Sequence, residues 1–305
     1  MFKFEAEQKI FEIGNVKVGG QPGQLPTVLI GSMFYHGDRL VKDEKEGVFD
    51  KEKAEEFLRE EEDISRKTGN PGIVDVVAAW PEAIVKYIDF IADATDSPFL
   101  VDGTTPDVRI AGVKHVAEVG MLDRAIYNSI IPEIKQEEID CIKESGLKSA
   151  IMLTLNTRNP TIHGRLEVVD GLLDIAERAG IEKCLIDATI LDIPDPGPVG
   201  KAIYHIKEKY GLPAGCGAHN AIERWKSKKN LSPSTYFTSS AVANVIPISM
   251  GADFILYGPI QNSSKVYIPC AVADAYVAYA MRHEYGIRPL SNDHPLFRVF
   301  REIDE

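Results

Sequence analysis

Three aspartates stand inside otherwise apolar stretches of this sequence, where a carboxylate is unusual. Asp75 lies in the run Gly-Ile-Val-Asp-Val, Asp102 follows Phe-Leu-Val, and Asp187 follows Cys-Leu-Ile. A strand that is buried on both faces of a parallel sheet is expected to be apolar throughout, and a buried carboxylate is costly unless something binds it. The recurrence therefore predicts that these acids hold a polar ligand at the ends of their strands.

Eight apolar segments of strand length alternate with helical patterns along the chain. The predicted strands cover residues 27–31, 73–79, 99–101, 124–128, 150–155, 184–190, 213–218 and 254–257. Each is followed by a helical pattern, and the first of these begins at Asp50, a residue type that is favoured at helix N-caps. Eight such units predict an α/β fold, a (β/α)8 or TIM barrel.

The barrel is expected to be a single domain over residues 1–305, with an N-terminal extension (1–26) and a polar C-terminal tail (288–305). Within the extension, Val16–Val18 predicts a short strand or hairpin. The main alternative is a doubly wound open sheet. That fold would carry a glycine-rich phosphate turn after the first strand, and residues 30–34 do not match GxGxxG.

In a (β/α)8 barrel the carboxyl ends of all the strands meet on one face, where enzymes of this fold place their active sites. Besides the three aspartates, the predicted ends carry Thr104, Thr105, Asn128, Ser129, Thr154, Asn156, Thr189, His219 and Asn220. No lysine stands at a strand end, which argues against Schiff-base chemistry. Carboxylates and amides suit a flat heterocycle with N–H donors and ring acceptors, and a pterin has such an edge.

Composition is that of an ordinary soluble globular protein and disfavours several partners. The formal net charge is −12, which argues against a nucleic-acid-binding surface. No apolar run approaches the roughly 20 residues that cross a membrane, and the N-terminus lacks the apolar core of a signal peptide. We therefore expect a cytoplasmic protein with no membrane insertion.

The cysteines predict buried thiols and no metal site. Cys141, Cys184, Cys216 and Cys270 form no Cys-x-x-Cys pair. Cys216 and His219 form one Cys-x-x-His pair, but a zinc site needs a second pair of ligands. We therefore interpret Cys216 as a buried thiol and His219 as a residue of the barrel mouth.

Several short segments together resemble the pterin-dependent corrinoid methyltransferases. They are Met1–Phe4, Val18–Gly23, Thr68–Pro71, Tyr87–Phe90, Ile126–Ile130, Leu185–Asp187 and Gly217–Asn220. The resemblance covers nearly the whole chain. Within this group the sequence is most similar to the H-subunit family of tetrahydromethanopterin S-methyltransferase, and in particular to the methylcobalamin:tetrahydrofolate methyltransferases of glycine betaine demethylation.

The resemblance implies a barrel enzyme that moves a methyl group between methylcob(III)alamin and N5 of tetrahydrofolate in an SN2-like step. It implies a pterin site made of Asp75, Asp102, Asn128, Asp187 and Asn220. Two of these, Asn220 and Asp187, would be catalytic. In the wider family an amide follows the acid of the third strand by three residues; Thr105 stands at that place here, so the contact would pass to Asn128.

The resemblance also implies partners. The chain lacks the DxHxxG pattern of base-off cobalamin-binding modules, so a separate corrinoid protein would carry the methylcobalamin. Tetrahydrofolate would be the co-substrate, no metal would be bound by this chain, and the protein would be a homodimer.

Two alternatives remain open from the sequence. One is a tetrahydromethanopterin-dependent subunit of a larger methyltransferase complex, because the two pterins differ mainly in ring methyl groups and tail. The other is a condensing enzyme like dihydropteroate synthase. That reaction needs a pyrophosphate site with basic residues, and the sequence offers Arg109 and Arg158 without a clear cluster.

Overall fold

Eight parallel strands close into a barrel at the centre of the structure. The computed structural model describes residues 1–302, so the last three residues of the predicted tail, 303–305, lie outside the described residues. In chain order the strands are β1 (Ile10–Ile13), β2 (Val16–Gly19), β3 (Val28–Met33), β4 (Val41–Asp43), β5 (Val48–Phe49), β6 (Gly72–Ala78), β7 (Phe99–Gly103), β8 (Ala125–Ile130), β9 (Ser149–Leu153), β10 (Lys183–Asp187), β11 (Ala214–Cys216) and β12 (Phe254–Pro259). The barrel order is β10-β11-β12-β3-β6-β7-β8-β9, with β9 paired to β10. The predicted (β/α)8 fold is confirmed.

Helices cover the outside of the barrel. They are α1 (Lys51–Thr68), α2 (Pro81–Ala94), α3 (Pro106–Glu118), α4 (Gln136–Ser145), α5 (Ile162–Glu167), α6 (Val169–Ala179), α7 (Pro196–Tyr210), α8 (His219–Lys228), α9 (Pro233–Ser249), α10 (Ser263–Tyr285) and α11 (Pro295–Glu302). The predicted cap at Asp50 is confirmed, because its carboxylate accepts a 3.3 Å hydrogen bond from the backbone N–H of Lys53.

The predicted strand ends differ from the structure by a few residues, and three further features differ more. The strand expected to reach Ile190 ends at Asp187, because Thr189 has a φ of 50°, which is outside the strand region. The helical pattern after the fifth predicted strand forms two helices, α5 and α6, and the Thr161 hydroxyl caps the first of them. The polar C-terminal tail contains α11, which packs against α1 and α10.

The interior of the barrel is apolar toward the amino ends of its strands. Alternate strand residues point inward and form one cluster: Val28, Ile30, Ile73, Leu100, Ile126, Ile151, Leu185 and Phe254. The predicted N-terminal hairpin is present as β1 and β2, and it adds Ile13, Val16 and Val18 to this cluster. The hairpin thus closes the amino end of the barrel, which leaves the carboxyl end for a ligand.

Two further contacts bind the N-terminal segment to the barrel. The ammonium group of Lys207 on α7 forms a buried ion pair with Asp253 and donates a 3.0 Å hydrogen bond to the carbonyl of Gly20. The backbone N–H of Lys9 donates to the carbonyl of Gly211 at 2.7 Å. Elsewhere, Cys141, Cys184, Cys216 and Cys270 are all buried and unpaired, which confirms the prediction for the thiols.

Candidate functional site

A cavity of about 280 Å³ opens at the carboxyl ends of the barrel strands. It brings together all five residues predicted to bind a ligand: Asp75 on β6, Asp102 on β7, Asn128 on β8, Asp187 on β10 and Asn220 on α8. The remaining lining residues are Ser32, Ser129, Leu153, Gly217, His219, Leu256 and Gly258. Strand register explains the grouping, because Asp75 pairs with Ser32, and Asp102 pairs with Asn128, on neighbouring strands.

Asp75 and Asp102 share one amide donor. The Asn128 side-chain nitrogen lies 3.5 Å from Asp75 Oδ1 and 3.2 Å from Asp102 Oδ2. The Ser32 hydroxyl donates a 2.7 Å hydrogen bond to the other oxygen of Asp75. These few donors leave acceptor positions on both carboxyl groups unused, because an ionised carboxylate accepts about four hydrogen bonds.

Burial and mutual repulsion make both carboxyl groups of this pair harder to ionise. Burial raises the pKa of Asp75 to about 6, although the hydrogen bonds from Ser32 and Asn128 act in the opposite direction. Burial and the charge of Asp75 raise the pKa of Asp102 well above its ordinary value, and the guanidinium of Arg109 only partly offsets this. Two neighbouring carboxyl groups of this kind hold a shared proton more tightly than isolated carboxyl groups do. The pair therefore presents several acceptor oxygens to a ligand.

Asp187 lies on the other side of the cavity and is fixed by its own loop. Its carboxylate accepts a 2.7 Å hydrogen bond from the backbone N–H of Thr189, and its carbonyl accepts one from the Thr154 hydroxyl at 3.1 Å. Burial raises the pKa of Asp187 to about 7, while the Thr189 N–H and the charge of Arg165 act to lower the pKa. Asp187 thus changes charge in the physiological pH range.

Arg165 holds the loop that carries Thr189. Its buried guanidinium donates hydrogen bonds to the carbonyls of Ala188 at 3.0 Å and Thr189 at 3.1 Å, and it contacts Asp195 at 3.1 Å. The guanidinium therefore binds backbone carbonyls and not the Asp187 carboxylate. The unusual φ of Thr189 is maintained by these contacts, and that conformation points the Thr189 N–H at Asp187.

Asn220 and His219 form the edge of the cavity at the start of α8. Within the described residues, the Asn220 side-chain amide has no hydrogen-bond partner, and Asn220 is exposed at the cavity opening. His219 packs so closely on Gly258 that a Cβ at Gly258 would lie 2.3 Å from the ring. Burial lowers the pKa of His219 to about 4, so its imidazole is neutral at physiological pH.

The basic residues considered in the sequence do not enter this cavity. Arg109 lies behind Asp102, where it donates to Glu138 at 2.6 Å and also to the carbonyl of Gly103. Arg158 is exposed and lines a separate depression of the barrel mouth. None of the residues lining the acidic cavity in the described chain is a lysine or an arginine, so this cavity itself offers no cation to a pyrophosphate.

Some predicted mouth residues lie outside the cavity. Thr104 and Thr105 are exposed at the start of α3. The Asn156 amide is used within its own loop, where it contacts the carbonyl of Gly164 at 2.9 Å and the N–H of Asn159 at 3.0 Å. Conversely, Ser32 and Gly258 line the cavity without having been singled out in the sequence, although each directly follows a predicted strand.

The arrangement suits a neutral, planar ligand with several N–H donors. Three acids, two of them buried and one partly buried, surround a space the size of a small heterocycle together with two amides, and Leu153 and Leu256 lie on its walls. The described residues contain no group of three or more His, Cys, Asp or Glu side chains that could surround a metal ion. In the same part of the chain, no helix has both the length and the apolar character to cross a bilayer.

Comparisons with known proteins give a consistent result for family and fold. The family described as tetrahydromethanopterin S-methyltransferase MtrH subunit matches residues 6–290. The chain is 39% identical to the H subunit of tetrahydromethanopterin S-methyltransferase from Methanothermobacter thermautotrophicus, covering 98% of this chain and 100% of the relative. It is also 39% identical to the corresponding subunit from Methanosarcina barkeri, with 90% and 92% covered.

Among solved structures, the chain is similar in fold to dihydropteroate synthase of Yersinia pestis, described with a pterine-sulfa conjugate. The TM-score is 0.63 at 13% sequence identity, and the match covers 88% of this chain and 99% of the synthase. At that identity the likeness concerns the fold alone.

Proposed function

Because the chain belongs to the tetrahydromethanopterin S-methyltransferase MtrH subunit family, we propose that it is a pterin methyltransferase that uses tetrahydrofolate. It would move a methyl group between methylcob(III)alamin, carried by a separate corrinoid protein, and N5 of the pterin. The physiological setting would be demethylation of glycine betaine or a related methyl compound. The observation that carries the proposal is the cavity lined by Asp75, Asp102 and Asp187, of which Asp75 and Asp187 are buried and Asp102 is partly buried.

The acids would hold the aminopyrimidinone edge of the pterin. This edge presents adjacent N–H and NH2 donors, which a carboxylate accepts in pairs. Asp187 and Asp102 would contact the edge directly and Asp75 would assist. Asn128 would complete the contact, since its amide already lies 3.2 Å from Asp102. The pterin donors would supply hydrogen bonds that the carboxyl groups lack within the described chain. These hydrogen bonds would offset the cost of burying the carboxyl groups.

The methyl transfer itself would depend mainly on positioning. In an SN2-like step the N5 lone pair forms the new C–N bond while the Co–C bond breaks and its electron pair stays with cobalt; N5 then releases its proton to solvent. When an enzyme holds two reactants in line, orientation alone accounts for much of the rate enhancement. The uncommitted Asn220 amide would lie beside N5, accepting a hydrogen bond from N5–H or donating one to N5 when the amine leaves in the reverse direction.

We also infer that the protein is a homodimer. The outer faces of α9 and α10 expose Val242, Tyr276 and Tyr279, with 55%, 61% and 58% of each residue accessible in the single chain. Apolar side chains on adjacent helices are typical of a surface that a partner covers. Light scattering after gel filtration is expected to give about twice the mass of the single chain, and a monomer at micromolar concentration would contradict the dimer.

The transferase assignment is tested with methylcobalamin as the methyl donor. The purified protein is mixed with methylcobalamin and tetrahydrofolate, and the cobalamin spectrum is followed for loss of the methyl–cobalt bond. Demethylation that requires both protein and pterin is expected. A parallel reaction with tetrahydromethanopterin distinguishes the alternative of a tetrahydromethanopterin-dependent subunit of a larger complex. No demethylation with either pterin would contradict the proposal.

The second alternative, condensation as in dihydropteroate synthase, is tested directly. The protein is incubated with hydroxymethyl-dihydropterin pyrophosphate and 4-aminobenzoate, and formation of dihydropteroate is measured. We expect no product, because the family that matches residues 6–290 of the chain is one of methyltransferase subunits.

A further inference from the structure

We propose that a second cavity beside the acidic one binds the tail of the pterin substrate, namely the aryl-amine ring and the anionic group beyond it. This inference rests on the proposed pterin site. The second cavity has a volume of about 420 Å³, within the usual range for small-molecule sites. Its walls include Tyr35, Tyr236 and Phe237, and Arg39 and Lys226 also line it.

Three elements of the chain connect the two cavities. On α8, His219 lines the acidic cavity, and Glu223 and Lys226 line the second one. These residues are four and three positions apart, so they lie along one face of the helix. At the end of β12, Gly258 lines the first cavity and Pro259 the second.

The third connection is β3, the first barrel strand in the chain, and the loop that follows it. Ser32 contacts Asp75 in the acidic cavity, and Tyr35, three residues later, lines the second cavity. The second cavity therefore lies next to the acidic one, on the side of α8 and this loop. The substituent that a reduced pterin carries on its ring is the part of the substrate that would extend toward the second cavity.

The aromatic residues provide a place for an aryl ring. Tyr236 is held with its hydroxyl 2.9 Å from Glu223, and Gln261 donates a 3.2 Å hydrogen bond to the Tyr35 hydroxyl. Phe237 is next to Tyr236 at the start of α9 and is only partly buried. Aromatic side chains that are fixed in this way gain contact area with little loss of freedom on binding.

The charges favour an anion at the outer end. Glu223 is already occupied by the Tyr236 hydroxyl and by Lys226, whose ammonium group lies 3.1 Å away. Arg39 is exposed and makes no hydrogen bond or ion pair with any described residue. An unpaired guanidinium at the rim of a cavity suits a carboxylate or a phosphate. Both occur in pterin tails, carboxylates in tetrahydrofolate and a phosphate in tetrahydromethanopterin.

The test compares pterins with and without a tail. Dissociation constants of 6-methyltetrahydropterin, tetrahydrofolate and tetrahydromethanopterin are measured by calorimetry for the wild-type protein and for Arg39→Gln and Phe237→Ala. Each substitution is expected to weaken tetrahydrofolate binding about three- to tenfold, the usual size of one partly exposed contact. Binding of the tail-less pterin should be unchanged. The matched control is Arg158→Gln, an exposed arginine on another part of the mouth, which should alter neither constant.

Each outcome decides between the possibilities. A loss of affinity in the two variants that is confined to tetrahydrofolate and tetrahydromethanopterin supports the assignment. Whichever of these two pterins loses more affinity carries the tail that the cavity fits. Equal losses for tailed and tail-less pterins, or no loss for any, would overturn it. If the wild-type protein binds tetrahydrofolate and the tail-less pterin with the same affinity, the tail inference fails while the pterin site stands. Binding of none of the three would overturn the pterin site itself, and this inference with it.

Discussion

The imidazole ring of His219 occupies the space that a side chain at Gly258 would need. A Cβ at Gly258 would lie 2.3 Å from the ring, and Gly258 has a φ of 84°, a conformation that L-residues rarely adopt. His219 is in turn the first residue of α8, and Asn220 follows it. The glycine at the end of β12 thus determines how closely α8, and with it Asn220, approaches the acidic cavity.

Substituting Gly258 by alanine is expected to displace His219 and the start of α8. Strained backbone of this kind costs about 1–3 kcal/mol of unfolding free energy. We expect tetrahydrofolate affinity to fall at least about tenfold, equivalent to roughly 1.4 kcal/mol. The matched control is Gly171→Ala on α6, where a Cβ meets no atom within 4 Å and stability should be unchanged or slightly higher. Wild-type pterin affinity in Gly258→Ala would contradict this role.

Asp187→Asn is expected to weaken pterin binding more than corrinoid binding. The substitution keeps the shape of the side chain but removes the charge and one acceptor, and a hydrogen bond to a charged group contributes about 1.5–3 kcal/mol. Titration calorimetry with tetrahydrofolate measures the loss, and methylcobalamin titration provides the comparison. Asp174→Asn, at an exposed position of α6, serves as the control. Equal pterin affinity in the Asp187 variant would remove this residue from the site.

Asn220→Ala is expected to lower turnover by about 10- to 100-fold while changing pterin affinity little. The amide has no partner among the described residues, so its removal disturbs no internal contact. Its proposed hydrogen bond to N5 matters most while the C–N bond forms or breaks, and one positioned polar group of this type contributes about 10²-fold or more. Single-turnover demethylation of methylcobalamin gives the rate and calorimetry gives the affinity. An unchanged rate would exclude Asn220 from the mechanism.

The barrel and its acids were accessible from the sequence because each has a local signature. A buried strand requires a run of apolar residues, so Asp75, Asp102 and Asp187 are conspicuous within theirs. The common topology of parallel barrels then brings the carboxyl ends of the strands together. No distance between side chains was needed for that conclusion.

Other features depend on contacts between segments that are distant in sequence. Gly258 lies against a ring that is 39 residues earlier in the chain (258 minus 219), and the second cavity combines the loop after β3 with α8 and α9. Arg165 appears in the sequence as an ordinary helix residue, yet it binds carbonyls of the loop after β10. Such contacts are set by loop conformations, which neither periodicity nor residue type encodes.

A buried glutamate away from the site should make stability depend on pH. Glu61 on α1 is 3% exposed and accepts a hydrogen bond from the Tyr267 hydroxyl. Burial raises the pKa of Glu61 to about 7, and the Tyr267 hydrogen bond offsets only part of this. In the unfolded chain the pKa of a glutamate is about 4.3. The folded state therefore binds the proton more tightly, and this group lowers stability as pH rises from about 4 to about 7.

Glu61→Gln removes that titration and keeps the acceptor for Tyr267. The variant is expected to be more stable than wild type at pH 8, where Glu61 is ionised in the folded protein, and to gain less at pH 5. Urea unfolding at the two pH values measures the difference. Glu60→Gln, at the exposed neighbouring position, is the control and should show no such pH dependence. A stabilisation of equal size at both pH values would contradict the assigned pKa.

Arg165 offers a test of how the loop after β10 supports the site. Its guanidinium donates to the carbonyls of Ala188 and Thr189, and the Thr189 N–H donates to Asp187 at 2.7 Å. Lysine keeps the positive charge but cannot bind several carbonyls in one plane. Arg165→Lys should therefore weaken tetrahydrofolate binding about tenfold, roughly 1.4 kcal/mol, through a misplaced Asp187.

The control for this effect is the combination with Asp187→Asn. If Arg165 acts by orienting Asp187, the lysine substitution should have little further effect on pterin affinity once the Asp187 charge is gone, because neighbours that act through one contact are not additive. Fully additive losses would show that Arg165 supports the site by another route.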